Sequence, residues 1–464
     1  PFTANLLVEH GRQRLPGLVY QLINVPSATY PNGLAQDKYN LPWNSPSAGK
    51  QQVNTYEFTA SYDAGFAEIS TISLLRERRG LNAYDRDATS HEFIDSAIAG
   101  GFVAPGAIAA VRSTDYGLGG ASTDFARIFY QDVHLTGAKV GKLVWLAGAE
   151  WYLLHDEPRG VLGRTPTAAN PSPGTINVTS SRLSSYAAYG SLGYDITSTL
   201  NLAGDLRVTR DEEEVDSERL DLRTGAQAGV GFAVNGKRAQ TNVSYTVTIS
   251  YKPFADMLLY GKVGSAYRAG GFNTALGDPR QPIPVPLTFS NETVTAYEIG
   301  YKGNITPDVY VSAAAYQNRF DNLVVQGNNG CAVGIPACPV QATNFAFNAG
   351  PARLWGLEAE VTYRTYLFDG PLRVTVGGAR QGGKITGGVY DGLRQPQQPR
   401  WTATFNVNYR HEVYAGWTGF ANLKGSGRWG GVQEIQQTPE LDDYLVLDGR
   451  IGLEKGPYEL SAFA

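Results

Sequence analysis

The charged side chains with the clearest chemistry in this chain recur at alternate positions of extended segments. Glu358, Glu360 and Arg364 are separated by even numbers of positions, and so are Glu298 and Lys302 in an earlier segment. Because successive side chains of a strand point to opposite faces, this spacing gathers charge on one face and leaves the other apolar. We therefore expect a polar wall made of Arg207, Glu298, Lys302, Glu358, Glu360, Arg364 and Arg410.

Two interpretations of this wall are open. Its charges could dock an internal domain or line the passage of a substrate. They could instead form ion pairs with one another and do no more than stabilise a polar surface, and this second interpretation is favoured.

Cys331 and Cys338 are the two cysteines of the chain and stand seven positions apart in a predicted loop. If that loop faces an oxidising compartment, a disulfide between them would close it, and the role would be structural. Two independent free thiols are the alternative.

The remaining residue types predict no catalytic or metal centre. The five histidines lack metal-ligand spacing, and no local motif assembles a Ser-His-Asp triad. We predict a protein that is not an enzyme and has no cofactor. The formal charge of −4 comes without a large basic patch, so nucleic acid is not an expected partner.

An acidic run, Asp211–Asp216 with Glu218, is the other conspicuous cluster of charge. It could bind a cation. A solvated start of a loop, or contact with lipopolysaccharide through divalent ions, is the favoured interpretation.

The elements that must position these residues are clearest in Thr241–Gly303. Ser244–Tyr251, Met257–Arg268 and Glu292–Lys302 alternate apolar or aromatic residues with polar ones. Each run is about ten residues long, the length that a tilted strand needs to cross a bilayer. A five-residue break separates the first two runs, and a Pro-rich loop separates the last two.

This pattern of short turns and long loops continues along the chain and predicts an all-β fold, a transmembrane antiparallel up-and-down β-barrel. Roughly sixteen to eighteen strands are visible, with the apolar side outside. A soluble array of all-β sandwiches is the alternative, but its strands are usually shorter. The long loops that could form a capture surface are Gly80–Gly120, Asp156–Thr179, Asp211–Arg238, Thr274–Asn291 and Gly327–Asn344.

Four segments carry a resemblance to a known family. They are Tyr267–Asn273 (Tyr-Arg-Ala-Gly-Gly-Phe-Asn), Thr295–Gly303, Asn348–Gly350 followed by Gly356–Glu360, and Pro399–Trp401. In these segments the chain resembles the TonB-dependent outer-membrane receptors, from about Ser122 to the end and more loosely from Thr55.

The resemblance implies a 22-stranded barrel around an N-terminal plug domain in the outer membrane, in contact with its lipid and lipopolysaccharide. It also implies uptake of a scarce, bulky ligand, most often an iron–siderophore complex, energised by the TonB complex of the inner membrane. Neither a plug nor a TonB box precedes the first strands, and the chain stops at Phe463-Ala464, where the family would continue.

We therefore expect residues 1–464 to be an outer-membrane barrel domain that is incomplete at both ends, with the plug outside the given sequence. A passive, porin-like diffusion channel is one alternative. A structural barrel subunit of an envelope assembly is the other.

Overall fold

The computed structural model describes residues 2–16, 48–85, 119–163, 174–227, 233–274, 285–328, 344–433, 435 and 440–464. Nearly all of them are in strands, and a single 3-10 turn lies at Gly388–Tyr390. Within these ranges, no helix has the length and apolarity needed to cross a membrane. The predicted all-β class is confirmed.

The strands form one large antiparallel sheet in which neighbours along the chain are neighbours in space. They are β1 (Phe2–Pro16), β2 (Ala48–Asp63), β3 (Ala67–Asp85), β4 (Gly119–Gly137), β5 (Leu143–Asp156), β6 (Arg159–Gly163), β7 (Gly174–Asp195), β8 (Leu200–Asp221), β9 (Ala233–Tyr251), β10 (Met257–Arg268), β13 (Glu292–Thr306), β14 (Val309–Asn328), β15 (Asn344–Leu367), β16 (Gly370–Ile385), β17 (Trp401–Tyr414), β18 (Trp417–Trp429), β19 (Tyr444–Lys455) and β20 (Tyr458–Phe463). Between β10 and β13, β11 (Gly271–Phe272) and β12 (Thr288–Phe289) pair as a separate two-stranded sheet.

The strand count agrees with the prediction. The main sheet has 18 strands. Both β5 and β6 pair with β4 and β7, so β6 continues β5 and the two count as one spanning segment. The described part of the chain therefore has seventeen spanning segments. The sheet is an up-and-down meander, as expected of a transmembrane barrel.

Short turns lie at one end of the sheet and long connections at the other, called here the turn end and the loop end. Between β15 and β16, for example, Leu367 pairs directly with Gly370. The two turn residues, Phe368 (φ 46°) and Asp369 (φ 62°), both adopt the left-handed conformation that matches the twist of a tight hairpin.

The two faces of the sheet differ in chemistry. On β15, Leu357, Val361 and Tyr363 share one face and are 40–53% exposed, and Glu358 and Glu360 lie on the opposite face. We call the apolar face outer and the charged face inner. Exposed aromatic side chains such as Tyr363 and Trp355 mark the two ends of the outer apolar band, in the position of interfacial girdles.

One predicted loop, Asp211–Arg238, is largely strand. β8 continues to Asp221 and β9 begins at Ala233, with a ladder between them up to the pair Glu218 and Ala233. Burial alternates along this extension, since Val215 is 3% exposed and Ser217 is 4% exposed. The prediction was wrong because neighbours on both sides satisfy the backbone of the acidic run, which therefore stays extended.

An apolar cluster closes the loop end of β14, β15 and β16. Its buried members are Leu323, Val325, Ala349, Ala352, Ile385 and Ile435, and Phe320, Phe347 and Tyr390 pack against them. This cluster holds the strands together beyond the level of the outer apolar band, where lipid no longer covers them.

Candidate functional site

The inner face carries a polar network that spans β4, β5, β7 and β8. Arg207 donates two parallel hydrogen bonds to Glu150, with Nη1–Oε2 and Nη2–Oε1 distances of 3.0 and 2.7 Å. Its guanidinium carbon lies 5.8 Å from the ring centroid of Tyr189. Tyr189 is on β7, the strand between Glu150 on β5 and Arg207 on β8. The planar guanidinium therefore bridges two strands that are not adjacent in the sheet, using a fork geometry that lysine cannot supply.

Asp132 extends the network toward β4 and is only 4% exposed. Tyr189 Oη donates to Asp132 Oδ2 at 2.5 Å, and Nδ1 of His134 lies 2.5 Å from Asp132 Oδ1. A buried carboxylate is costly unless its oxygens are hydrogen-bonded, and both oxygens of Asp132 are. This part of the inner wall is thus internally satisfied.

A second patch of the inner wall lies on β10 and β13. Tyr260 Oη donates to Glu298 Oε1 at 2.7 Å, and Lys262 Nζ lies 3.6 Å from Glu298 Oε2. Lys302 Nζ stands 5.9 Å from the centroid of the Tyr260 ring. The Tyr260 ring crosses the backbone of Gly300, where an added Cβ would come within 2.4 Å of the ring. Any side chain at position 300, the centre of the segment Thr295–Gly303, would therefore have to displace the Tyr260 ring.

Beside this patch the inner wall has a hollow of about 760 Å³. Glu298, Lys302, Glu358 and Glu360 border it, and small residues such as Ala314 and Gly377 give it depth. Within the described part of the chain, the carboxylates of Glu358 and Glu360 make no hydrogen bond or ion pair. Two adjacent carboxylates without partners are free to meet a cation from outside the wall.

The two remaining members of the predicted set also lie on the inner face. Arg410 Nη1 forms an ion pair with Glu454 Oε1 at 2.7 Å. Arg364 stands opposite Arg373 in the ladder near the turn end, and its side chain makes no hydrogen bond or ion pair with any described residue. The predicted set therefore lines one face but forms several local groups rather than one cluster.

The sequence analysis missed the partners of these charges. Glu150, Asp132 and Lys262 each lie on the inner face of an alternating strand, so parity alone could have placed them there. Parity could not have paired Glu150 with Arg207, because that contact depends on the register of the intervening β7.

At the loop end, the connection between β10 and β13 is clasped to β14 by an ion pair. Arg268 Nη2 lies 3.1 Å from Glu292 Oε2 and donates to the Val324 carbonyl at 2.5 Å. The same Glu292 oxygen accepts the Val324 N–H at 2.5 Å. Arg268 and Glu292, at the two ends of the connection, are thus bonded to Val324, which lies between two members of the apolar cluster, Leu323 and Val325.

Three asparagines complete this clasp. Asn273 donates to the Pro286 and Ala346 carbonyls at 2.7 and 2.9 Å, and its Oδ1 accepts the Ala346 N–H at 2.9 Å. Asn291 accepts from Gly270 N–H, and Asn348 accepts from Ser290 N–H. We call Arg268, Asn273, Asn291, Glu292 and Asn348 the loop clasp. The segment Tyr267–Asn273 is one of the four that carry the family resemblance. Its hydrogen bonds hold the connection between β10 and β13 in place at the loop end of the sheet.

The other predicted sites have different outcomes. Cys331 and Cys338 lie outside the described residues, and their disulfide remains a prediction. In the acidic run, Glu212 and Glu214 on the outer face pair with Arg210 and Lys237 at 2.8 and 2.7 Å. Among the described residues, no group of three or more His, Cys, Asp or Glu is placed to hold a metal ion.

Comparison with solved structures gives the same architecture. The ferric yersiniabactin uptake receptor FyuA from Yersinia pestis matches with a TM-score of 0.73 at 14% identity, over 100% of this chain and 62% of its own. The siderophore receptor PiuA from Acinetobacter baumannii matches with a TM-score of 0.69 at 16% identity, over 99% of this chain and 67% of its own. The copper transporter OprC matches with a TM-score of 0.66 at 16% identity, over 90% and 61%. At these identities the likeness establishes the shared fold.

The fold and the inner wall define an outer-membrane β-barrel. A family model, the β-barrel of TonB-dependent receptor-like proteins, matches residues 9–461, and the chain belongs to that family. Its place is the outer membrane, and it is a receptor barrel, not an enzyme. Comparison with curated protein sequences gives no match. The chain spans about 62% of the length of the yersiniabactin receptor that it resembles.

Proposed function

We propose that this barrel serves TonB-dependent uptake of a scarce, bulky nutrient across the outer membrane, with a siderophore-type iron complex as the cargo. The observation that carries the proposal is the inner wall of a receptor-family barrel, where the carboxylates of Glu358 and Glu360 face a hollow without partners of their own. Both side chains are exposed, so their charge is available to a cationic group that approaches from outside the wall.

We infer that this part of the wall docks an internal plug domain from sequence beyond these 464 residues and borders the route of the ligand once the plug moves. The internally paired groups, such as Arg207 with Glu150, would keep the wall rigid while the plug changes position. The inner-membrane TonB complex would supply the energy through that plug. The structural neighbours include a ferric yersiniabactin uptake receptor and a siderophore receptor, which supports the choice of an iron complex.

The copper transporter among the neighbours favours a second cargo class, a copper complex. The experiment that decides between them uses the complete gene in its own host. Growth of the wild type, a deletion strain and the complemented deletion is compared on a panel of ferric siderophores under iron limitation and on copper complexes under copper limitation.

The proposal predicts that deletion abolishes growth on at least one ferric siderophore and that complementation restores it only where TonB is intact. Growth restored without TonB would establish a passive channel instead. Unchanged growth on every iron and copper source would overturn the proposal and favour a structural barrel subunit, which would then co-purify with a fixed partner.

A further inference from the structure

Arg238 on β9 lies directly opposite Glu213 on β8, on the inner face near the loop end. Opposite charges in this position on neighbouring strands stabilise a sheet when they form an ion pair. Here the pair is not formed, and the carboxylate of Glu213 makes no hydrogen bond or ion pair with any described residue. Both residues lie beyond the outer apolar band, since the outward-facing side chains at this level, Glu214 and Lys237, are charged.

The guanidinium of Arg238 is bonded instead to the connection between β10 and β13. Nη1 donates to the Phe289 carbonyl at 3.1 Å, and Nη2 donates to Asn291 Oδ1 at 3.0 Å and to Gln240 Oε1 at 2.6 Å. Because both terminal nitrogens are directed at these acceptors, the side chain must turn before it can present its fork to Glu213.

The β11–β12 pair lies over the same part of the inner face. The Phe272 ring covers Gly236 on β9, where an added Cβ would collide with it, and an added Cβ on Gly271 would lie 3.7 Å from Glu213 Oε1. Burial raises the pKa of Glu213, and the charge of Arg238 offsets only part of this effect. An ionised Glu213 is therefore in an unfavourable position while β11–β12 covers it.

The connection has a second attachment, to β14 and β15, which is made by the loop clasp. Asn273 bonds to both backbone groups of Ala346. Arg268 and Glu292 stand directly opposite each other in the ladder and already form their ion pair. The attachment to β9 differs, because it is held by an arginine whose own cross-strand partner is left without it.

We propose that Arg238 has two alternative partners and thereby controls whether β11–β12 covers the inner face of β8 and β9. In the arrangement seen here it holds Phe289 and Asn291. In the second arrangement it pairs with Glu213, and β11–β12 leaves β9 while Asn273 keeps the connection attached to β15. An ion pair that forms only in the second arrangement shifts the population toward it.

The exchange of partners opens the inner face at the loop end without breaking the ladder between β8 and β9. It requires only that one side chain turns and that one side of the connection moves. The proposal does not depend on the cargo or on energised uptake.

The test is hydrogen–deuterium exchange of the purified full-length protein in detergent, followed at residues 270–273 and 287–291. Local opening governs exchange of these amides. Glu213→Gln removes the alternative partner and should slow their exchange by about two- to fivefold, the contribution of an exposed ion pair. Arg238→Ala removes the charged donor that holds β12 and should accelerate it by about 10- to 100-fold.

The double variant Arg238→Ala/Glu213→Gln separates an exchange of partners from a simple effect of burial. If Arg238 pairs with Glu213 in the second arrangement, Glu213→Gln slows exchange less in the Arg238→Ala background than in the wild type, because the two substitutions are then coupled. Equal slowing in both backgrounds would mean that Glu213 acts through its own burial alone, and the proposal would be overturned. Unchanged or faster exchange in the single variant Glu213→Gln would overturn it as well.

The matched control is Glu214→Gln, which removes the same charge one position along β8, on the outer face, from a carboxylate that pairs with Lys237 at 2.7 Å. Exchange at 270–273 and 287–291 should match the wild type in this variant, and circular dichroism verifies that the sheet is intact. Exchange at residues 344–350 should be unchanged in Arg238→Ala, because Asn273 still holds β15. Equal acceleration there would show that the whole connection unfolds, and this result would contradict release from β9 alone.

Discussion

The loop clasp gives the prediction that the structure constrains most closely, the effect of Asn273→Ala. The Asn273 side chain satisfies both backbone groups of Ala346, which is itself only 8% exposed. The ladder between β15 and β16 begins at Ala352, so at Ala346 the strand has β14 as its one strand neighbour. One amide thus supplies the donor and the acceptor that a second strand would have provided.

The substitution leaves the Ala346 N–H and C=O without partners in a buried position. Each unsatisfied buried group costs about 1–3 kcal/mol, so we expect the local opening free energy to fall by about 2–4 kcal/mol. Local opening governs amide exchange, and exchange of the segment 344–350 should accelerate by about 30- to 1,000-fold. Hydrogen–deuterium exchange with mass spectrometry on the purified protein measures this directly.

Asn304→Ala is the matched control, because Asn304 makes an exposed hydrogen bond of 3.2 Å to Asp256 at the turn end. Exchange at 344–350 should be the same in this variant as in the wild type. If Asn273→Ala also leaves that segment unchanged, the asparagine does not hold the connection between β10 and β13 against β15, and our account of the loop clasp is refuted.

Three further substitutions test other parts of the structure. Gly300→Ala should lower the stability of the barrel by about 1–3 kcal/mol in denaturant titration, because its Cβ collides with the Tyr260 ring; unchanged stability would contradict the close approach. Arg207→Ala leaves the partly exposed carboxylate of Glu150 unpaired and should lower the free energy of unfolding by about 1 kcal/mol in the same assay. An unchanged free energy of unfolding would mean that solvent fully replaces the ion pair. At the turn end, hydrogen bonds from Lys139 and Asn201 hold the pKa of Asp195 below its usual value. The stabilisation that a depressed pKa contributes is fully present above the unfolded-state pKa and disappears as the pH falls through the folded-state pKa. The difference in Tm between wild type and Asp195→Asn should therefore shrink on acidification, and a constant difference would contradict this.

The sequence predicted the membrane-spanning part of the fold well. The runs Ser244–Tyr251, Met257–Arg268 and Glu292–Lys302 correspond to parts of β9, to the whole of β10 and to most of β13. Lipid on one side and polar groups on the other impose a strict alternation there, and alternation is visible in a single sequence. Beyond the membrane no lipid imposes an apolar face, and the acidic end of β8 was accordingly mistaken for a loop.

The sites were less predictable, because each depends on register between strands. Arg207 and Glu150 are 57 positions apart in the sequence, and the contact between them depends on the register of β7, the strand that separates β5 from β8. Alternation along a strand shows which face a side chain lies on, but only the register between strands determines which side chains are its neighbours.

The most direct test of the central claim, energised uptake, is the initial rate at which cells take up a radiolabelled iron complex identified by the growth panel. We predict rapid uptake in cells with the complete gene and a loss of at least about tenfold when the gene is deleted or the proton gradient is collapsed. Substituting Glu358→Gln/Glu360→Gln together should slow uptake at an unchanged level of protein in the outer membrane. Uptake that persists without the proton gradient, at the rate of untreated cells, would contradict the account and make this barrel a passive channel.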